Sequence, residues 1–276
     1  MTFSIVARSA DGQHLGVAVA SRFLGVGAAV PAAGAGVGAL ATQAWANLAY
    51  RPQGLTLLRT GVDAAGTVAA LTAADPQRDE RQVGVVAPTG EGATYTGPGC
   101  LDWAGGVAGD GYAIQGNILT GPQVVDAMRA AWLESEPGLP LARRLLTALR
   151  AGDAAGGDRR GRQSAALYVV GRGMGYGGTS DVGVDLRVDD HPDPCGELAR
   201  LMDLHALYFE RPDPATLLPL EGDLAHEVRG RLARLGHGDD DLAAALDQWA
   251  GVENLEERLV PGRIDPVVLE WLRAAS

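Results

Sequence analysis

Residues 2–22 read TFSIVARSADGQHLGVAVASR, and the way this stretch folds decides the class of the domain it opens. Residues 2–8 and 14–22 both alternate: Phe3, Ile5 and Ala7 share one face of the first run, and Leu15, Val17 and Val19 share one face of the second. Between them, residues 9–13 carry Asp11-Gly12, a turn signal for a β-hairpin. The chain thus begins antiparallel, without a βαβ crossover. No GxGxxG motif leads from a strand into a helix, which argues against a dinucleotide-binding fold.

Working outward, residues 36–43 read as a further strand running on to Trp45 and Asn47. Two helices follow. Pro52 sits near the start of the first, with Leu55 and Leu58, and Asp63 caps the second, which carries Val68 and Leu71. Strands are expected at 82–87, 93–96 and 112–118. Val124, Met128 and Trp132 recur every four residues, as do Leu141, Leu145 and Leu149, giving two amphipathic helices. A Gly/Asp/Arg-rich connection, 151–162, leads to a strand at 163–170, a glycine-rich loop at 171–178 and a strand at 182–188. Pro194 opens a helix with Leu198, Leu201, His205 and Tyr208 on one face. Blocks of strands separated by helix pairs point to an α+β protein, with helices packed outside antiparallel sheets.

Pro212, Pro214 and Pro219 mark a linker, and beyond it the pattern is helical. Leu224, Val228, Leu232 and Leu235 form one stripe, stopped by Gly236. Asp239 to Asp241 can cap a second helix bearing Leu242, Leu246 and Trp249. Asp265-Pro266 starts a third with Val268, Leu269 and Leu272. The expected division is a first domain at 1–211 and a three-helix module at 222–276, small for an independent core.

The 276 residues carry a net charge of −11. An acidic surface disfavours nucleic acid and anionic membrane as partners. There is no lysine, so every basic residue that is not histidine is arginine, and a lysine base or Schiff base is excluded. Cys100 and Cys195 stand far apart with no CxxC or Cys/His spacing, which supports neither a zinc site nor a disulfide framework. No signal peptide is visible, and the uncharged stretch 23–50 is broken by Gly25, Gly27, Pro31, Gly34, Gly36 and Gly38. A soluble cytoplasmic protein without a cofactor is expected. No GxSxG elbow or HExxH helix is present, which removes the common serine-hydrolase and zincin readings.

The stretches MTFSIVAR, LGVAVASRF, GVGALATQAWAN, GDGYAIQGNIL, GGDRRGRQSAAL and VDLRVDDHPDP, in that order, resemble a bacterial family known only as domain of unknown function 1028. The tail, with LDQWAGVENLEERL and GRIDPVVLEWL, resembles a peptidoglycan-binding-like helical module sometimes attached to it. The resemblance implies a four-layer αββα sandwich, similar to N-terminal-nucleophile (Ntn) hydrolases. Such folds often hydrolyse amide bonds with a Thr, Ser or Cys exposed at the start of the first strand. Many Ntn enzymes also use a lysine near the nucleophile, and this chain has none.

Thr2 is then the candidate nucleophile: after removal of Met1 it carries a hydroxyl and a free α-amine, whose ordinary pKa lies near 8. Arg22 could supply positive charge nearby, and Gln43 and Asn117, amides at strand ends, could donate to an oxyanion. Asn47 and Gln115 could orient substrate. The block Asp158, Arg159, Arg160, Gly161, Arg162, Gln163 and Ser164 could bind a substrate carboxylate through its arginines. Alternation places Asp185 and Arg187 on one strand face. Asp189, Asp190 and His191 are the residues a hard divalent metal would take. The first expectation is an Ntn-type hydrolase acting on an amide bond of a small amide or peptide-like metabolite. The alternatives are a non-catalytic ligand- or glycan-binding protein on the same scaffold and a metal-dependent hydrolase. The expected partners are a small-molecule substrate and further copies of the chain, as a homodimer or higher homo-oligomer. The tail is expected to act in oligomerisation or as a lid.

Overall fold

A computed structural model describes residues 2–276. In chain order its elements are β1 (Thr2–Arg8), β2 (Leu15–Ser21), α1 (Val26–Ala29), β3 (Pro31–Gly34), β4 (Gly38–Ala44), α2 (Tyr50–Arg59), α3 (Ala64–Ala73), β5 (Arg81–Val86), β6 (Ala93–Thr96), β7 (Gly105–Gly109) and β8 (Tyr112–Asn117). Then come α4 (Gln123–Glu134), α5 (Leu141–Ala154), β9 (Ser164–Val170), β10 (Val182–Val188), α6 (Pro194–Phe209), β11 (Leu218–Pro219), α7 (Gly222–Arg234), α8 (Leu242–Glu253), β12 (Arg263–Ile264) and α9 (Pro266–Ala275).

The opening hairpin forms as its sequence dictates. Gly12 takes φ 71, and the Asp11 carboxylate accepts from the Ser9 hydroxyl and the Gln13 amide, closing the turn. The register pairs Phe3 with Ala20 and Val6 with Val17. Around this hairpin builds a six-stranded sheet, β10-β9-β2-β1-β8-β7, and a four-stranded sheet, β3-β4-β5-β6, lies against it. Every pairing is antiparallel. Helices α4 and α5 cover the outer face of the larger sheet, and α2 and α3 cover the outer face of the smaller one. The result is a four-layer αββα sandwich.

Each helix buries the stripe its sequence offers. In α5, Leu141, Leu145 and Leu149 are buried, with the Leu145 methyl seated over Gly16 of β2. Each such leucine contributes about 2 kcal/mol by leaving water. Asp63 caps α3, its carboxylate accepting from the Gly66 amide at 2.7 Å. Arg144 of α5 is buried over the Trp132 ring, 3.9 Å from its centroid, and donates to the Trp132 carbonyl and the Ser135 hydroxyl at the end of α4. That cation satisfies groups a helix C-terminus leaves open.

Several elements differ from the sequence reading. β3 and β7 lie in stretches, PAAG and GGVAG, that lack the apolar alternation of a strand. The strand expected at 36–43 begins at Gly38 after a turn and ends at Ala44, which turns out with φ 66, so Trp45 and Asn47 lie beyond it. Helix α5 runs on to Ala154, into the expected connection.

The chain divides into two compact units, with the change between Leu201 and Met202 inside α6, ahead of the proline-rich segment. In the second unit, Leu207 and Tyr208 pack with Val228, Leu232, Leu246, Trp249 and Leu272. Arg258, buried, donates to the carbonyls of Ala206 and Leu207 and pairs with buried Asp265 at 2.6 Å. These contacts join the last turns of α6 to the three helices. Asp241 and Asp265 cap α8 and α9, and Gly236, with φ 86, follows the end of α7. The proline-rich segment also contributes β11, which pairs with β12.

Candidate functional site

Thr2 begins the central strand of the larger sheet, between the end of β2 and the end of β8. It is buried, and alternation puts it on the face of β1 that carries Ser4 and Val6, towards the smaller sheet. Its hydroxyl lies 3.1 Å from that of Ser21. The hairpin register could have found Ser21: its paired residue numbers sum to 23, which sets Thr2 opposite Ser21. One strand further, Ser21 pairs with Ser164, so three hydroxyl residues stand in a row across β1, β2 and β9. The Ser164 hydroxyl donates to the Phe23 carbonyl and accepts from the Val26 amide, fixing the chain as it leaves β2.

Asp158 ties this row to the loop before β9. Its buried carboxylate accepts from the backbone amides of Arg22 and Arg160, at 2.8 and 2.9 Å, and from the Arg160 guanidinium. The Arg22 guanidinium in turn donates to the Arg160 carbonyl. Arg22, Asp158 and Arg160 thus come together beside the strand ends. Among the described residues, no carboxylate lies within ion-pair distance of the Arg22 side chain. A cleft of about 370 Å³ opens here, lined among others by Phe3, Ser21, Asp153, Asp158, Arg162 and Ser164. Arg162 pairs with Asp153 at 2.8 Å, which raises the pKa of its guanidinium further.

Gln43, Gln115 and Asn117 lie between the sheets. The Gln115 amide donates to the Ser4 hydroxyl at 2.7 Å, and that hydroxyl donates to Gln43 Oε1 at 2.6 Å. Gln43 Nε2 then faces three acceptors: Gln82 Oε1, the Thr2 carbonyl and the Gln115 carbonyl. Asn117 also donates to Gln82 Oε1, and Gln82 Nε2 donates to the Gly116 carbonyl and the Thr96 hydroxyl. An amide has two N–H protons, so those of Gln43 are already engaged in this lattice. One of the acceptors it faces is the carbonyl of Thr2, at 3.2 Å. Ser4 and Gln82, central here, were not singled out from the sequence; their only signal is a polar residue at an inward-facing strand position.

The residues that follow two of these amides take unusual backbone conformations. Ala44 has φ 66 and Ile118 φ 50, the latter rare for a β-branched residue. Ile118 bonds through its N–H to the Leu101 carbonyl and through its carbonyl to the Arg159 amide. Strain of this kind persists where surrounding structure over-determines it, often beside functional sites.

The remaining candidates stand elsewhere. Asn47 donates to Asp75, in a buried cluster where Asp75 pairs with Arg81 at 2.9 Å and accepts from the Tyr50 hydroxyl. The Arg81 guanidinium holds the Asp75 carboxyl well below the usual carboxylate range, and burial pushes the Tyr50 phenol up. Gln163 donates to Asp190, and Asp185 pairs bidentately with Arg187. His191 Nδ1 accepts from the Asp193 amide. Among the described residues, no group of three or more His, Cys, Asp or Glu side chains is placed to hold a metal ion, so Asp189, Asp190 and His191 do not converge as a ligand set. Likewise no described helix is long and apolar enough to cross a membrane. Met1 lies outside the described residues.

Comparison with known proteins gives two family matches. A model described as "Family of unknown function (DUF1028)" matches residues 2–198, and one described as "Putative peptidoglycan binding domain" matches residues 208–272. Among solved structures, the crystal structure of protein SPO2555 from Silicibacter pomeroyi, a DUF1028 protein, superposes with a TM-score of 0.66 at 30% identity. The match covers 82% of this chain and 92% of that one. No curated protein matches the chain.

Proposed function

This chain belongs to the DUF1028 family, and from that premise we propose that it is a hydrolase of the N-terminal-nucleophile type, cleaving an amide bond in a small amide or peptide-like metabolite. One observation carries the reading. Thr2 stands at the start of the central strand, its hydroxyl beside that of Ser21, its carbonyl held by Gln43, and its neighbours Phe3 and Ser21 lining a cleft.

In this mechanism Met1 is removed, freeing the α-amine of Thr2. Thr2 Oγ1 bonds to the substrate carbonyl carbon while its proton passes to that amine. The resulting ammonium protonates the departing nitrogen as the C–N bond breaks, leaving an ester on Thr2. Water, deprotonated by the same amine, attacks the ester, and Thr2 Oγ1 leaves with the proton. Backbone N–H groups at the strand ends take the oxyanion, and Gln43 fixes the backbone that aims the nucleophile. Arg22, with no carboxylate within ion-pair distance among the described residues, attracts a substrate carboxylate towards the cleft, and Asp158 and Arg160 hold Arg22 in place.

The test is the intact mass of untagged protein followed by turnover of an amide panel. Loss of Met1, with hydrolysis abolished by Thr2→Val and retained in part by Thr2→Ser, is expected. Turnover that survives Thr2→Val would overturn the proposal. A second reading, a non-catalytic ligand- or glycan-binding protein, draws on the engagement of the Gln43 and Asn117 amides inside the lattice. It predicts Met1 retained and no turnover. For the tail we propose a role in self-association within the cytoplasm; a chain ending near Pro212 that kept the native number of copies in solution would refute it.

A further inference from the structure

The larger sheet has six strands and the smaller four; β9 packs against β3, the edge strand of the smaller sheet, and β10 lies outside it. Residues of β9 that face inward, Ala166 and Val170, belong to the interlayer core, with Tyr168 half-buried against it. Register sets Asp185 opposite Tyr168 and Arg187 opposite Ala166, so both share that inward face. A cavity of about 500 Å³ lies here, walled by the edge of β3 and the first turn of α2. It shares no lining residue with the cleft beside Thr2.

The walls divide into two chemistries. Ala32, Leu48, Pro52 and Leu55 are apolar. Arg51, next to Pro52 on α2, and Tyr168 with the Asp185–Arg187 pair on the larger sheet are polar. Arg51 is anchored by one nitrogen, donating to the Ala28 carbonyl at 2.7 Å, and its guanidinium has no carboxylate within ion-pair distance among the described residues. It also sits in the first turn of α2, where a cation opposes the helix dipole. The Tyr168 hydroxyl makes no hydrogen bond among the described residues. Burial pushes its phenol up, so it stays a donor at neutral pH. Asp185 neutralises Arg187, so the cavity carries one uncompensated positive charge in a chain of net charge −11.

We propose that this cavity is a second binding site, for a small monocarboxylate with an apolar body. The carboxylate meets the Arg51 guanidinium and the Tyr168 hydroxyl, and the body lies on Leu48, Pro52 and Leu55. A charge-assisted contact from a preoriented guanidinium provides selection for the anion, and the apolar wall provides most of the contact area.

Phenylacetate and hexanoate, each paired with its alcohol (2-phenylethanol, 1-hexanol), and inorganic phosphate are titrated against the full chain by ligand-observed NMR. Saturable binding of the two carboxylates is expected, at least tenfold tighter than their alcohols or phosphate. Arg51→Gln should weaken it about tenfold, and Tyr168→Phe about threefold while keeping the ring in place. Thr2→Val should leave it unchanged, which separates this site from the proposed nucleophile. Equal binding of carboxylate and alcohol, equal binding of phosphate, indifference to Tyr168→Phe, or no saturable binding of either carboxylate would each overturn the proposal.

Discussion

The space between the two sheets is filled differently at its two ends. Away from Thr2 it is aliphatic, with Val6, Val17, Val30, Ala39 and Val86 buried together. Towards Thr2 it holds Ser4, Gln43, Gln82, Gln115 and Asn117, all buried and joined by side-chain hydrogen bonds. Aliphatic packing is non-directional and accepts a small shift of one sheet over the other. An amide lattice does not, because each donor must find its acceptor and a buried unmet group costs about 1–3 kcal/mol. The sandwich thus has a compliant end and an indexed end, and the candidate nucleophile stands at the indexed one.

The sharpest way to break the indexed end is at Gly84. A Cβ built there would fall 2.0 Å from Gln115 Oε1, so the side chain of Gln115 occupies the space a larger residue would need. Gly84→Ala should expel that amide and cost about 4 kcal/mol in denaturant unfolding, from overpacking together with the lost hydrogen bond to Ser4. A cost under about 1 kcal/mol would show that the lattice yields.

Next comes the charged cluster at Asp75, a contrast to the uncharged lattice. Asp75→Asn breaks a buried pair with Arg81 and should cost about 3 kcal/mol at neutral pH. The folded-state pKa of Asp75 lies below its ordinary value near 4, so its stabilisation is complete above that value and fades as pH falls towards the folded one. The gap between wild type and Asp75→Asn should therefore narrow on acidification below about pH 4. The loss caused by Gly84→Ala, where no group titrates, should not follow that course. A flat Asp75→Asn gap would refute the assignment.

At the compliant end, Val17→Ala should cost about 2 kcal/mol, a cavity effect with no register change. Backbone amide exchange at Phe3 and Ser21 should be unaffected; faster exchange there would mean that the two ends are coupled. The smallest expected effect is a double-mutant cycle. Gln43→Leu and Gln82→Leu should couple by about 1 kcal/mol, since each removes the other's partner. Additivity would reduce the lattice to independent contacts.

Features that depend on a few adjacent residues were legible in the sequence. The Asp11-Gly12 turn, the β6 strand and the caps Asp63, Asp241 and Asp265 all formed where a short-range pattern put them. β3 and β7 were not, because Ala/Gly-rich strands owe their existence to neighbouring strands rather than their own alternation. The site shows the same limit. The grouping of Arg22, Asp158 and Arg160 follows from a dense polar block entering a strand. The lattice joins residues up to 111 positions apart. Alternation says which face Gln43 and Gln115 occupy, but not that another sheet covers it.

The lysine-free composition has a practical consequence for the start of β1. An amine-reactive ester finds no side-chain amine to acylate, only the amine of whichever residue opens the mature chain. Conjugation becomes a one-site reaction without mutagenesis. A dye or affinity handle installed this way would mark that one amine, and its rate of attachment would measure how openly it meets solvent.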